Sequence, residues 1–164
     1  MSASVGGPAP DFGLPILGGG FRSLPDLVEP GGGVLVFFKS DCETSALVLP
    51  RLAPLARALA REERLFLAVA QDDPATARAF AREHGIDFAV ATEGDPYAVS
   101  REYGVVTVPS LFVVDGAGLV AERLEGFLKS EYLALGPAIE QALALGDVPP
   151  VLEQPDDLPG LKPG

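Results

Sequence analysis

The run Val34-Leu35-Val36-Phe37-Phe38 constrains this chain more than any other stretch. Five consecutive apolar residues, β-branched or aromatic for the most part, read as a strand buried on both faces. Such a strand needs helices above and below it, and the flanking sequence supplies them. An Ala- and Leu-rich helix is expected from about Cys42 to Arg61, kinked by Pro50 and Pro54. Leu65 to Ala70 reads as a second buried strand. Asp73-Pro74 opens a helix to Glu83, with Asp73 as N-cap and Pro74 in the first turn, and His84-Gly85 ends it. Phe88 to Ala91 is a short strand, and Asp95-Pro96 repeats the cap signal for a helix ending near Gly104. Leu111 to Val114 and Leu119 to Leu124 form two strands about the Asp115-Gly116 turn. Ser130 to Leu145 is an amphipathic helix interrupted at Gly136-Pro137.

Strands separated by helices pair in parallel, and two adjacent strands pair antiparallel. The expected architecture is therefore α/β: a mixed central sheet with helices on both faces. A hairpin precedes it, from Asp11 to Leu17 and Phe21 to Ser23 about Gly18-Gly19-Gly20, followed by one helical turn at Leu24–Leu27. Gly31-Gly32-Gly33 reads as a flexible lead into the first long strand. Residues 1–10 read as a loose arm. Residues 1–146 form the domain, and 147–164 a Pro-rich acidic tail expected to be extended or mobile.

The charge balance narrows the partners. Twelve Lys and Arg stand against 23 Asp and Glu, a net charge of -11, which repels nucleic-acid phosphates and anionic lipid. One Cys and one His rule out an internal disulfide and leave no Cys/His zinc set, so neither metal nor cofactor is expected. With no basic-then-apolar leader in Met1–Pro10 and no spanning run, the expected compartment is the reducing cytoplasm.

The single Cys42 falls where the apolar strand has ended, Lys39-Ser40-Asp41 intervene and a helix begins. Helix N-termini present free N–H groups and partial positive charge, which stabilise a thiolate. Neighbouring Asp41 and Glu43 oppose ionisation. The competing reading is a small buried hydrophobe, the common fate of a lone Cys. A proline at Pro109, opening a strand, is either a cis site or a trans proline at the strand's first residue.

The segment from Val34 to Ser45, with Pro50 five residues on, resembles the active-site stretch of the thioredoxin superfamily, where a strand leads to Cys-x-x-Cys on a proline-kinked helix. Ala9-Pro10-Asp11-Phe12-Gly13-Leu14-Pro15 and the glycine-rich hairpin resemble its redoxin branch, which holds TlpA-like thiol oxidoreductases and the AhpC/TSA-like peroxiredoxins. Tyr103 to Asp115 resembles the segment carrying that family's cis-proline. The resemblance implies a thioredoxin fold, a cis bond before Pro109, and a substrate peptide pairing with the backbone of Val108. It implies catalytic roles for Cys42, Ser45 and Pro109, with Asp41, Glu43, Thr44 and Val108 contacting substrate.

Two departures define the expected chemistry. Ser45 replaces the resolving Cys, and Asp41 replaces the Trp common before the first Cys. Peroxiredoxins carry Thr three residues before their Cys, where this chain has Lys39, so peroxidase activity is not assigned. The expectation is a monothiol thiol-disulfide oxidoreductase: Cys42 attacks a disulfide, the Ser45 hydroxyl hydrogen-bonds the thiolate, and an external thiol resolves the adduct. Its partners are a disulfide-containing protein or a small thiol. The alternatives are a non-enzymatic thioredoxin-fold binding module and a cysteine redox sensor. Three other features carry no chemistry. Gly116 to Ala121 fits a dinucleotide pattern but leads into a strand rather than a helix. His84 ends a helix, and Glu62-Glu63 and Asp72-Asp73 read as solvated surface charge.

Overall fold

The Val34–Phe38 run lies at the centre of a five-stranded sheet. The computed structural model describes residues 3–152 and 158–164. The sheet is built from β3 (Gly32–Phe38), β4 (Phe66–Ala70), β5 (Ala89–Thr92), β6 (Ser110–Asp115) and β7 (Val120–Glu125), in the order β5-β4-β3-β6-β7. β3, β4 and β5 are parallel; β6 runs antiparallel to β3, and β7 antiparallel to β6. All seven residues of β3 are buried.

Alternation along β3 divides the interior into two cores. Val34, Val36 and Phe38 face Leu55 and Leu59 of α3 (Ala53–Arg61), Phe80 of α4 (Pro74–Glu83) and Ile139 of α7 (Leu135–Leu143). Leu35 and Phe37 face Leu27 of α1 (Leu24–Val28), Tyr103 and the hairpin residues Phe12 and Leu14. Each fully buried Leu or Phe contributes about 1.5–3 kcal/mol. The N-terminal hairpin pairs β1 (Gly13–Pro15) with β2 (Phe21–Ser23) around three glycines in the left-handed region. This is the thioredoxin fold, with helices on both faces of a mixed sheet. Among the described residues no helix is long and apolar enough to cross a membrane.

The proline-bearing helix breaks at its prolines. It divides into α2 (Glu43–Val48), a 3-10 turn at Leu49–Leu52 and α3. Pro50 and Pro54 cannot donate to the carbonyls four residues earlier, and the tighter turn absorbs the missing bonds. The last helix likewise divides, into α6 (Lys129–Leu133) and α7, because Pro137 has no N–H to donate to the Leu133 carbonyl.

Several details correct the sequence reading. Gly32 and Gly33 are strand residues, not a flexible lead. A Cβ at Gly33 would collide with the Leu65 carbonyl oxygen and one at Gly32 with that of Val114, so the strands on both sides require glycine here. Asp95 caps nothing. The Asp95-Pro96 bond is cis, Tyr97 is left-handed, and α5 spans only Ala98–Glu102. Its first amides are held by the buried carboxylate of Glu93, which accepts from Val99 and Ser100 N–H at 2.9 Å each. Residues 3–10 are not loose: Gly6 donates to Val120 O and Ala9 to Gly118 O, and Ala3 is fully buried. The described part of 147–164 also folds onto the domain. Val151, Leu152 and Leu158 are buried, and β9 (Leu161–Lys162) pairs with β8 (Phe127–Leu128). Of this tail, residues 153–157 lie outside the described residues.

Candidate active site

β3 ends and β6 begins at the same end of the sheet, with Phe37 opposite Ser110. The loop leaving β3 and the loop entering β6 therefore meet without help from side chains. The first carries Cys42 and the second the cis Val108-Pro109 bond. Cys42 is the N-cap of α2, with extended backbone (φ -96°, ψ 120°). Its Sγ accepts the N–H of Ser45 at 3.4 Å and donates to the Val108 carbonyl at 3.4 Å. The sulfur thus bridges the helix start and the proline loop, and it is half-buried.

Ser45 is fully buried and reaches the sulfur through its peptide N–H. This differs from the expected hydroxyl contact: the Ser45 Oγ accepts the Lys39 N–H at 3.4 Å. An N3 residue of a helix points its amide at the cap, while its side chain turns back against the loop. Asp41, Cys42, Glu43, Thr44 and Val108 share one open groove of about 540 Å³. Ser45 and Pro109 are buried, outside its lining.

Two groups near the groove escaped the sequence reading. Lys39 lies over the Tyr97 ring, 5.4 Å from its centroid, with Nζ 3.3 Å from the Tyr97 Oη. That hydrogen bond, aided by the charges of Asp41 and Asp72, holds the Lys39 ammonium above its usual pKa. In the sequence reading Asp72 stands among solvated surface charges. It instead accepts from both the N–H (2.9 Å) and the hydroxyl (2.8 Å) of Ser40, two residues before Cys42. The available signal was topological: β3 and β4 are parallel neighbours, so the residues just past their ends converge. Its neighbour Asp73 does cap α4, its carboxylate accepting the Thr76 N–H at 2.8 Å. Gly116 to Leu119 form the β6–β7 turn and Val120-Ala121 open β7; the turn is organised by Asp115, whose Oδ1 accepts from Ala117 and Leu119 N–H.

A half-buried thiol between a helix cap and a cis-proline loop is what the described residues bring together, and known proteins share the frame. A thiol:disulfide interchange protein DsbE homolog of Paracoccus denitrificans is 27% identical over 146 residues, covering 87% of this chain and 79% of its own. The crystal structure of a thiol:disulfide interchange protein DsbE from Chlorobium tepidum superposes with a TM-score of 0.77 at 28% identity, over 87% of this chain and 99% of that one. A solution structure of a protein disulfide isomerase from Bacteroides thetaiotaomicron, 17% identical, shares the fold with a TM-score of 0.76 over 89% of this chain and 96% of that one. Residues 5–123 match the AhpC/TSA family, a span that contains both loops of the site, and the chain belongs to that family.

Proposed function

We propose that the protein is a monothiol thiol-disulfide oxidoreductase. The observation that carries this reading is the position of Cys42 Sγ, held between the Ser45 N–H and the Val108 carbonyl in an open groove. The Ser45 N–H points at the sulfur, and the half-buried setting leaves it reachable. The thiolate attacks one sulfur of a disulfide. A new S–S bond forms to Cys42, the old one breaks, and its electron pair leaves on the departing thiolate.

The chain has one Cys, so it holds no second thiol to expel the bound partner. An external thiol must attack the adduct, taking the partner's sulfur and returning Cys42 to the reduced form. A disulfide-bearing polypeptide fits the first step, since the Val108 backbone borders the groove. The need to keep a lone thiol reduced between turnovers fits a reducing compartment such as the cytoplasm.

The test is direct. Reduced protein incubated with a small disulfide gains the mass of one half of it, and added thiol clears the adduct. Cys42→Ser stays unmodified throughout. If the wild type forms no adduct while iodoacetamide shows its thiol to be free, the reading fails and a binding module takes its place.

A further inference from the structure

The chain beyond Gly146 returns to the site. Val151, Leu152 and Leu158 are buried in the larger core. Past Leu158, β9 pairs with β8, and Lys129 N–H donates to the Gly160 carbonyl at 2.8 Å. The next residues reach the groove itself. The buried Thr44 hydroxyl donates to the Pro163 carbonyl, and Lys162 Nζ is 3.5 Å from the Glu43 carboxylate. Gly164 lies so close to Val108 that a Cβ added there would collide with the Val108 carbonyl oxygen. A length of the chain's own extended backbone thus occupies the edge on which a substrate polypeptide would lie.

The hold on this segment is unequal along its length. Leu158 is an apolar anchor, but Leu161 is two-thirds exposed. β9 pairs through two residues only, and the Lys162–Glu43 pair is exposed, so it adds little. Such a segment opens locally while the domain stays folded. The Cys42 sulfur itself is left half-buried beside it.

We propose that residues 158–164 form a strap that covers the docking edge at Thr44 and Val108, admitting small reagents to Cys42 and excluding polypeptides until it lifts. This rests on Cys42 as the site's nucleophile. A competing occupant lowers the apparent affinity for any other by the fraction of molecules in which the edge is free.

Cys42 is the chain's one thiol, so labelling reports on this site alone. The test compares full chain, Gly164→Ala and a chain ending at Gly160, each with iodoacetamide and with a bulky maleimide-polyethylene glycol. The bulky reagent should react about tenfold faster with both variants, while iodoacetamide rates change less than about twofold. Gly164→Ala decides alone if the shortened chain loses its native spectrum. Equal bulky-reagent rates for the full chain and Gly164→Ala would overturn the strap. A chain that takes both labels yet forms no mixed disulfide with a small disulfide overturns the exchange reading instead, and the ratio of labelling rates still measures the strap.

Discussion

Asp72→Ala removes the two hydrogen bonds that fix the loop before Cys42. The carboxylate accepts from the Ser40 N–H at 2.9 Å and its hydroxyl at 2.8 Å. A net of about 1 kcal/mol per bond gives a loss of about 2 kcal/mol. For a chain of this size that lowers the thermal midpoint by roughly 6 °C. Urea unfolding followed by circular dichroism should show a lower midpoint with an unchanged slope, since the surface exposed on unfolding is the same. Ser40→Ala removes only the hydroxyl bond and should cost about 1 kcal/mol. The double variant should cost no more than Asp72→Ala, because the hydroxyl bond is already lost in that background. The amides of Ser40 to Cys42 should also exchange faster in Asp72→Ala. If Asp72→Ala unfolds within about 0.5 kcal/mol of wild type, or the two substitutions add in full, Asp72 does not pin this loop.

Substitutions at three further positions test other parts of the molecule. Ser45→Cys should form a disulfide with Cys42 under mild oxidant, seen as loss of both thiols by mass spectrometry, because the three-residue spacing puts both side chains on the first turn of α2, within the short reach a disulfide needs once the residue 45 side chain rotates toward Cys42. Arg123 donates to the carbonyls of Ala3, Tyr103 and Gly104 and lies over the Phe112 ring, so Arg123→Ala should cost about 3 kcal/mol by urea unfolding, and Arg123→Lys should restore only part of it. Desolvation, with Glu122 and Glu125 nearby, raises the Glu131 pKa above its ordinary 4.5. As pH rises the unfolded chain releases this proton first, so the folded state loses stability above about pH 4.5. Glu131→Gln should therefore raise the thermal midpoint near pH 7, with the advantage gone at pH 4.

What could be read from the sequence was what local rules determine. The continuous apolar run fixed β3, and with it the sheet on either side. Asp73-Pro74 capped α4 because both the acceptor and the first-turn proline lie within four residues of each other. Asp95-Pro96 carries the same two letters and does something else, because the buried Glu93 reaches the α5 amides first. That contest is decided by burial, which the two residues do not encode. Cys42 and Pro109 stand out by a resemblance and by their place beside strands. The Thr44–Pro163 and Cys42–Val108 contacts join residues 119 and 66 positions apart, and no periodicity reports on those. The Ser45 contact failed for a smaller reason: the amide, not the hydroxyl, faces the sulfur.

That last detail bears on how such a chain can change. The donor facing Cys42 belongs to the peptide group, and every amino acid except proline would bring the same N–H to position 45. A cysteine or a serine there offers the neighbouring sulfur the same backbone donor and differs from the other in its side chain alone. A substitution at this position therefore changes the side-chain chemistry in the first turn of α2 and leaves the backbone contact to the Cys42 sulfur in place.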